Sequence, residues 1–220
     1  MLYIVATPIG NLKDITFRAV EVLKTCDVIV AEDSRRASIL LNEYDAGKKE
    51  IFVYNEYNEK KRTEKIIVLL EQGRKVALTS DAGTPGIGDP GYLLVREAVQ
   101  RGIPVTSVPG PCSLINALVC SGLPMTGFQC TGFIPRTSGK KKRFFENIRG
   151  TAVFFESPHR IKKTLGLMAE VIPDRQIVIG REMTKMYEEF IRGTVREVSE
   201  RIQDAEKIKG ELTVVVYNPE

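Results

Sequence analysis

The sequence predicts an α/β protein of two domains. Three observations carry this. Apolar strand-like runs alternate with helical patterns through the first half. A glycine- and proline-rich loop follows one of those runs. In the second half the strand candidates cluster without the same alternation. Alternation implies a mostly parallel, doubly wound sheet with helices on both faces. Clustering implies an α+β domain with antiparallel pairing in a mixed sheet. The Gly122-Leu123-Pro124 break sets the expected boundary, giving domains 1–121 and 122–220.

In the first domain the expected strands are 2–7, 28–31, 51–53, 76–79 and 105–108. The expected helices are 15–24, 34–41, 59–72, 92–101 and 113–120. Gly73 and Gly102 sit just past two of these helices, where a residue that tolerates left-handed backbone stops a helix. The second domain opens with a strand at 128–133, followed by a basic segment and a strand at 152–155. A helix over 160–171 follows, then strands at 176–180, 188–193 and 212–217. Two such domains are expected to leave a cleft, the usual place for a ligand.

Composition narrows the function. No apolar run approaches the ~20 residues of a membrane span. Met1–Thr7 lacks a basic flank and reads as a buried strand rather than a signal peptide. Cys26, Cys112, Cys120 and Cys130 show no C-x-x-C pairing, and His159 is the single histidine, so no metal set is expected. Unpaired thiols suit a cytoplasmic protein. The net charge of +4 permits an anionic partner without demanding one.

The loop Ser80-Asp81-Ala82-Gly83-Thr84-Pro85-Gly86-Ile87-Gly88-Asp89-Pro90-Gly91 follows Val76-Ala77-Leu78 and precedes a helix. Open α/β sheets hold ligands at the carboxyl ends of their strands. Gly86–Gly91 spells G-x-G-x-x-G, yet the next strand runs into Pro109-Gly110-Pro111-Cys112-Ser113 with no ribose-binding carboxylate. Pro90 also removes an amide that a pyrophosphate would use. A dinucleotide site is therefore not expected, and no lysine followed by Ser or Thr closes a phosphate-cradling loop. A rigid turn without a ligand is the plain alternative.

Eight segments together resemble the tetrapyrrole-methylase fold of S-adenosylmethionine-dependent methyltransferases. They are Ala6-Thr7-Pro8-Ile9-Gly10-Asn11-Leu12, Ala31-Glu32-Asp33-Ser34-Arg35, the Ser80–Gly91 loop, and Pro109-Gly110-Pro111-Cys112-Ser113. In the second half they are Gly132-Phe133-Ile134-Pro135, Glu156-Ser157-Pro158-His159-Arg160, Arg181-Glu182-Met183-Thr184-Lys185 and Lys209-Gly210-Glu211. Each alone is weak; in this order and spacing they are specific. Within the family the chain is most similar to the group that methylates a cytidine 2′-oxygen in 16S ribosomal RNA. The resemblance implies S-adenosylmethionine in the cleft between the domains, 16S ribosomal RNA or the small subunit as substrate, and a homodimer. Members of that group often continue past the final strand. This sequence runs to Tyr217-Asn218-Pro219-Glu220, so RNA contacts from such an extension are not expected.

By resemblance, cofactor binding falls on Pro8, Asp81, Ala82, Gly83, Thr84, Ser113 and Leu114, with Phe155 and Glu156 from the second domain. Ser113 reads equally as a helix cap, and Asp81 as an aspartate holding its own turn. A ribose hydroxyl is a poor nucleophile, so a base or polarising group is needed. Asp33, Glu182 and Lys185 are the chief candidates, a lysine serving if burial lowers its pKa. Glu156 and His159 are further ones, His159 also reading as a helix-start residue. Arg35, Arg160 and Arg181 suit bidentate phosphate contacts. The run Arg136-Thr137-Ser138-Gly139-Lys140-Lys141-Lys142-Arg143 before Phe144-Phe145 suits phosphate contact with base stacking. A solvated helix face is its alternative. Glu32 and Arg35 are assigned to the substrate side, where a helix start is the alternative. Three other readings stay open: a small-molecule methyltransferase of the same fold, a cofactor-binding module without transferase activity, and a dehydrogenase.

Overall fold

A computed structural model describes residues 1–204 and 208–219. By packing, the chain divides into Met1–Cys112 and Ser113–Glu220. Glu220, the end of the terminus considered above, lies outside the described residues.

In the first unit β1 (Leu2–Val5), β2 (Val28–Ala31), β3 (Glu50–Val53), β4 (Val76–Thr79) and β5 (Val105–Val108) form one sheet in the order β3-β2-β4-β1-β5. Every pairing in it is parallel. The connecting helices are α1 (Phe17–Thr25), α2 (Ser34–Glu43), α3 (Glu59–Glu71) and α4 (Tyr92–Gln100). Thr16 caps α1 by accepting from the Ala19 amide, and Asp33 caps α2 by accepting from the Arg35 amide. Those side chains satisfy amides that a helix start leaves free.

The strand order sets where helices go. From β1 the chain moves outward to β2 and β3 through α1 and α2, and their apolar faces share one core with Ile29, Ala31 and Ala77. From β3 it returns through α3, then α4, whose Ile66, Ile67, Leu94 and Ala98 share the opposite core with Val30 and Leu78. The direction of crossover thus reverses between the neighbours β1 and β4. That is a topological switch point, and it opens a crevice at the carboxyl ends of those two strands.

The second unit begins with α5 (Ser113–Val119) and builds β6 (Gln129–Phe133), β7 (Gly150–Glu156), β8 (Gln176–Arg181), β9 (Glu189–Thr194) and β10 (Leu212–Asn218) into a sheet of order β6-β7-β10-β8-β9. Strand β6 runs parallel to β7 and the other pairings are antiparallel, the expected mixed sheet. Helices α6 (Ser138–Glu146), α7 (Ile161–Val171) and α8 (Val195–Asp204) contribute Phe145, Leu165, Met168, Val198 and Ile202 to one core against Phe154, Ile177, Ile179 and Val214. Helix α5 packs on β7, β8 and β10, so β10 is buried along nearly all its length. This is why the units divide after Cys112, whereas the expected boundary lay after Ser121.

Two helices differ from the expected pattern. The basic segment folds as α6, and α8 lies between β9 and β10, where the sequence predicts clustered strands. In α6 a lysine occupies a core-facing position: Lys141 and Phe145 are buried at i and i+4, and Ile148, just past the helix, continues that side. A charged residue at that position hides the helical period. In α8 the signal is ordinary, with Val195, Val198 and Ile202 at i, i+3 and i+7.

Lys141 is 3% exposed. Its Nζ lies 3.1 Å from Glu156 Oε2 and donates to Thr164 Oγ1 at 2.6 Å. The Thr164 hydroxyl donates to Glu156 Oε2 at 2.6 Å, the Ser157 amide donates to Oε1 at 2.8 Å, and Arg160 Nη2 is 2.6 Å from Oε1. The network joins α6, β7 and α7. Removing one member of a buried pair strands the other charge at about 3–5 kcal/mol. Lys141→Ala is therefore expected to lower unfolding stability by about 3 kcal/mol in urea titration. Lys140→Ala and Arg143→Ala, at exposed positions, should stay within about 0.5 kcal/mol of the parent.

Candidate active site

The crevice of the first unit is built by the chain segments leaving β1 and β4. Thr7 and Gly83 form an isolated antiparallel bridge: each amide donates to the other's carbonyl, at 2.9 and 3.0 Å. Thr7 Oγ1 donates to Ser80 O at 3.2 Å, and Ser80 Oγ to Gly83 O at 3.0 Å. Gly83 has φ +84°, and a Cβ there would stand 3.3 Å from Ile9 Cγ2. Only glycine accepts that backbone at little cost. Thr84 Oγ1 donates to Pro111 O at 3.1 Å, which ties the loop to the segment after β5.

Asp81 clips the loop to the neighbouring strand. Its Oδ1 accepts from the Asp33 amide at 3.2 Å, and its Oδ2 lies 3.4 Å from Arg36 Nε. A pocket of ≈ 320 Å³ opens here, lined on its polar side by Thr7, Ser80, Asp81 and Arg36, and on its apolar side by Pro8 and Leu40 among others. The edge is rich in acids. Burial, then the charges of Glu32 and Asp81, push Asp89 up to about 6. Burial, then Asp81 and Glu56, raise Glu32. Three carboxyls against the guanidinium of Arg36, beside the Gly83 backbone, fit a ligand that carries a cation and presents groups to the backbone. A sulfonium or ammonium meets that requirement.

In the second unit the turn between β8 and β9 is locked. Glu182 and Thr184 hold φ of +50° and +67°, conformations that cost non-glycine residues energy. Lys185 Nζ lies 2.9 Å from Glu182 Oε1 and 3.0 Å from Glu211 Oε2. The Glu211 amide donates to Glu182 Oε1 at 2.9 Å. Gly210 has φ +92°, and a Cβ there would collide with the Glu182 side chain.

Residues 1–199 match the family model described as Tetrapyrrole (Corrin/Porphyrin) Methylases. The chain belongs to the tetrapyrrole methylase family. A relative from Thermotoga maritima named Ribosomal RNA small subunit methyltransferase I is 48% identical, over 100% of this chain and 99% of that protein. One of the same name from Hydrogenobaculum is 45% identical over 98% and 94%. Among solved structures, the methyltransferase CobJ aligns with TM-score 0.72 at 17% identity, covering 99% of this chain and 93% of that one. Uroporphyrin-III C-methyl transferase from Thermus thermophilus, complexed with S-adenyl homocysteine, aligns at 0.66 and 19%, covering 99% and 97%. At those identities the structural likeness carries the fold, and the tetrapyrrole-methylase architecture expected from the sequence is the one observed.

The family frame makes the placement of each expected residue informative. Pro8, Asp81, Ala82, Gly83 and Thr84 do converge at the switch point. Ser113 is the first residue of α5, one position inside the cap, and Leu114 is buried. The Phe155 ring packs 5.3 Å from Phe133, centroid to centroid. Glu156 is different. Its carboxylate is fully taken up by Lys141, Thr164, Arg160 and the Ser157 amide. Burial alone would raise its pKa, but those hydrogen bonds outweigh it and hold it low. Neither a base nor a free ligand group is left there.

The three chief catalytic candidates are ion-paired as well. Burial alone would lower Lys185, but the hydrogen bonds to Glu182 and Glu211 outweigh it and raise its pKa. That favours its ammonium form in this arrangement. Glu182 is lowered, first by Lys185 and then by the Glu211 amide. Hydrogen bonds from the Arg35 side chain, then its amide, bring Asp33 down to about 2. His159 is exposed in the turn before α7, its amide donating to Ser157 Oγ at 3.3 Å.

Of the cations assigned to RNA, Arg136, Lys140 and Arg143 are exposed. Lys142 is half-buried and pairs with Glu170. Lys141 points into the core, so it offers no charge to a phosphate. Arg160 is engaged by Glu156, and Arg181 by Glu189 at 3.0 Å. Arg35 is exposed but paired with Asp33, and Glu32 joins the acidic edge instead.

Asp89 and Glu56 escaped the sequence reading. Asp89 was visible only as a second aspartate in the loop, and its meaning depends on Glu32, which arrives from another strand. A carboxyl raised from the ordinary 3.8 to about 6 is protonated more readily folded than unfolded. Its stabilising contribution is complete below about pH 4 and lost as pH rises through about 6. Asp89→Asn should therefore melt above the parent at pH 7.5, and the gap should close toward pH 4 in paired thermal scans. An equal gap at both pH values would remove Asp89 from the acidic cluster.

Proposed function

We propose that this chain is an S-adenosylmethionine-dependent methyltransferase acting on the 2′-hydroxyl of a cytidine in 16S ribosomal RNA. The observation that carries this is the 48% identity along essentially the whole of both chains with a ribosomal RNA small subunit methyltransferase I. The crevice chemistry agrees with it.

In this reading the cofactor lies at the carboxyl ends of β1 and β4. Pro8, Ala82, Gly83 and Thr84 offer backbone groups to it, and Asp81, with Glu32 and Asp89, supplies the negative field a sulfonium needs. Ser113, Leu114 and Phe155 complete the proposed set. When bound, S-adenosylmethionine supplies the electrophilic methyl group, and the protein's part is binding and orientation. Holding two reactants in near-attack geometry supplies several kcal/mol of the barrier.

Lys185 takes an electrostatic role rather than that of a base. An ammonium fixed by Glu182 and Glu211 costs no reorganisation when it faces an oxygen gaining negative charge. Exposed Arg136, Lys140 and Arg143 contact RNA phosphates, and Arg35 does so after leaving Asp33. A homodimer and a bacterial cytoplasmic location belong to the same proposal. Among the described residues no helix is long and apolar enough to cross a membrane.

Asp81→Ala should weaken S-adenosylmethionine binding at least tenfold in calorimetric titration while the far-ultraviolet circular dichroism stays unchanged. Unchanged affinity would move the cofactor away from this edge. The substrate is tested by methyl transfer to small subunits lacking the modification, with a corrinoid precursor as the competing acceptor. Transfer to the corrinoid alone would replace the RNA reading.

A further inference from the structure

Helix α3 carries a basic face that the proposed site leaves unused. Asn58, Lys61, Arg62 and Lys65 recur at i, i+3, i+4 and i+7, which places them on one side of the helix. Together they line a pocket of ≈ 220 Å³. The acid nearest in sequence, Glu64, faces the adjoining groove with Lys60, Thr63 and Arg96 instead. Among the described residues neither Lys61 nor Lys65 has an ion-pair partner. The Arg62 guanidinium sits 5.9 Å from the Phe52 ring centroid, which steadies it from behind. The Asn58 side chain is spent on the Asn55 amide and Val53 O, so the cations are the groups free to bind.

This arrangement is unfavourable on its own. Lys61 and Lys65 are like charges at i, i+4. Lys60 and Lys61 also sit in the first turn, where the helix dipole opposes cations. A bound anion would offset both effects. Beside them Tyr57 is 98% exposed. The location also fits. Helix α3 follows β3, so it starts at the carboxyl edge of the sheet, the edge that holds Pro8 and Asp81. Glu56, in the same turn as Tyr57, lies near enough to act electrostatically on Glu32.

We propose that Lys61, Arg62 and Lys65 grip a backbone phosphate of the RNA substrate, with Tyr57 beside them as a stacking surface for an unpaired base. The proposal rests on the RNA reading above and adds a contact on the first unit that the sequence motifs did not indicate. The guanidinium fork recognises phosphate oxygens directionally, and the lysines add point charges. Aromatic stacking next to a cationic track is the general chemistry of single-strand binding.

The test is binding of unmethylated small subunits, and of protein-free 16S ribosomal RNA, across a potassium chloride series. The parent is compared with Lys61→Ala/Lys65→Ala and with a control, Lys24→Ala/Lys48→Ala, that removes the same charge at exposed positions elsewhere. The α3 variant should bind both RNAs about tenfold more weakly, and its salt slope should fall by roughly 1–2. Its S-adenosylmethionine affinity should match the parent, its melting temperature should be equal or slightly higher because the like-charge repulsion is relieved, and the control should be unaffected in RNA binding. Unchanged affinity and slope would overturn the proposal while leaving the RNA reading intact. So would equal losses in both variants, since any lost charge would then suffice. A loss confined to assembled subunits would assign the face to an acidic ribosomal protein. If the parent bound S-adenosylmethionine but neither RNA, the RNA reading itself would fail.

Discussion

The two hydrogen bonds between Thr7 and Gly83 are the contact on which the first unit's site depends. They extend β1 and the segment after β4 past the last true ladder pair and lock the two against each other. Each bond is worth only about 0.5–1.5 kcal/mol net. Their importance is positional. The crossovers from β1 and β4 leave toward opposite faces of the sheet, so the gap between those strand ends is spanned by the bridge and by Thr7 Oγ1 donating to Ser80 O. The bridge fixes the width of the crevice, and Ser80, Asp81 and Thr84 take their places from it. Glycine at position 83 follows, because the bridge needs a backbone turn that a side chain would strain and crowd against Ile9.

Charge is distributed unevenly along the edge so formed. Carboxylates from two strand ends, Glu32 after β2 and both Asp81 and Asp89 after β4, meet there, and the fold leaves Asp89 and Glu32 destabilised as anions. A structure that sets like charges together gives up stability in the free state, and a cationic ligand returns it. The second unit solves the opposite problem. Its central charges are paired: Glu156 meets Lys141, Arg160 and Thr164, leaving only the Arg160 Nε of that network without a partner, and Lys185 meets two carboxylates. Such closed networks rigidify, and they withdraw from chemistry the side chains they contain.

Much of the fold was legible because it rests on local patterns. Strands β1 and β2 are apolar throughout and β4 over three of its four residues, and Gly73 and Gly102 follow their helices with left-handed backbone. The loop at Ser80–Gly91 was legible because its composition suits no ordinary connection. What failed to show was α6, whose core face includes a lysine, and the division of the units, which depends on α5 packing against β7, β8 and β10. Packing partners far away in sequence leave no mark on a helix's own pattern.

Sequence alone determined the class of the protein. Residue types in order and spacing identify a methylase fold, its glycine-rich loop and the strand ends that bear the site. Those are properties of short segments, governed by backbone preference and hydrophobic period. Only the tertiary structure decided what each charged residue does. Lys141 and Lys140 are adjacent and chemically identical, yet one closes a buried network and the other meets solvent. Burial alone would lower Lys185, and its pKa is raised instead because Glu182 and, from a later part of the chain, Glu211 hydrogen-bond it. Asp89 departs from an ordinary carboxyl because the fold buries it and then brings Glu32 near it. The energy of a charge depends on its solvation and on the charges within a few ångströms, and both are set by which segments the fold brings together.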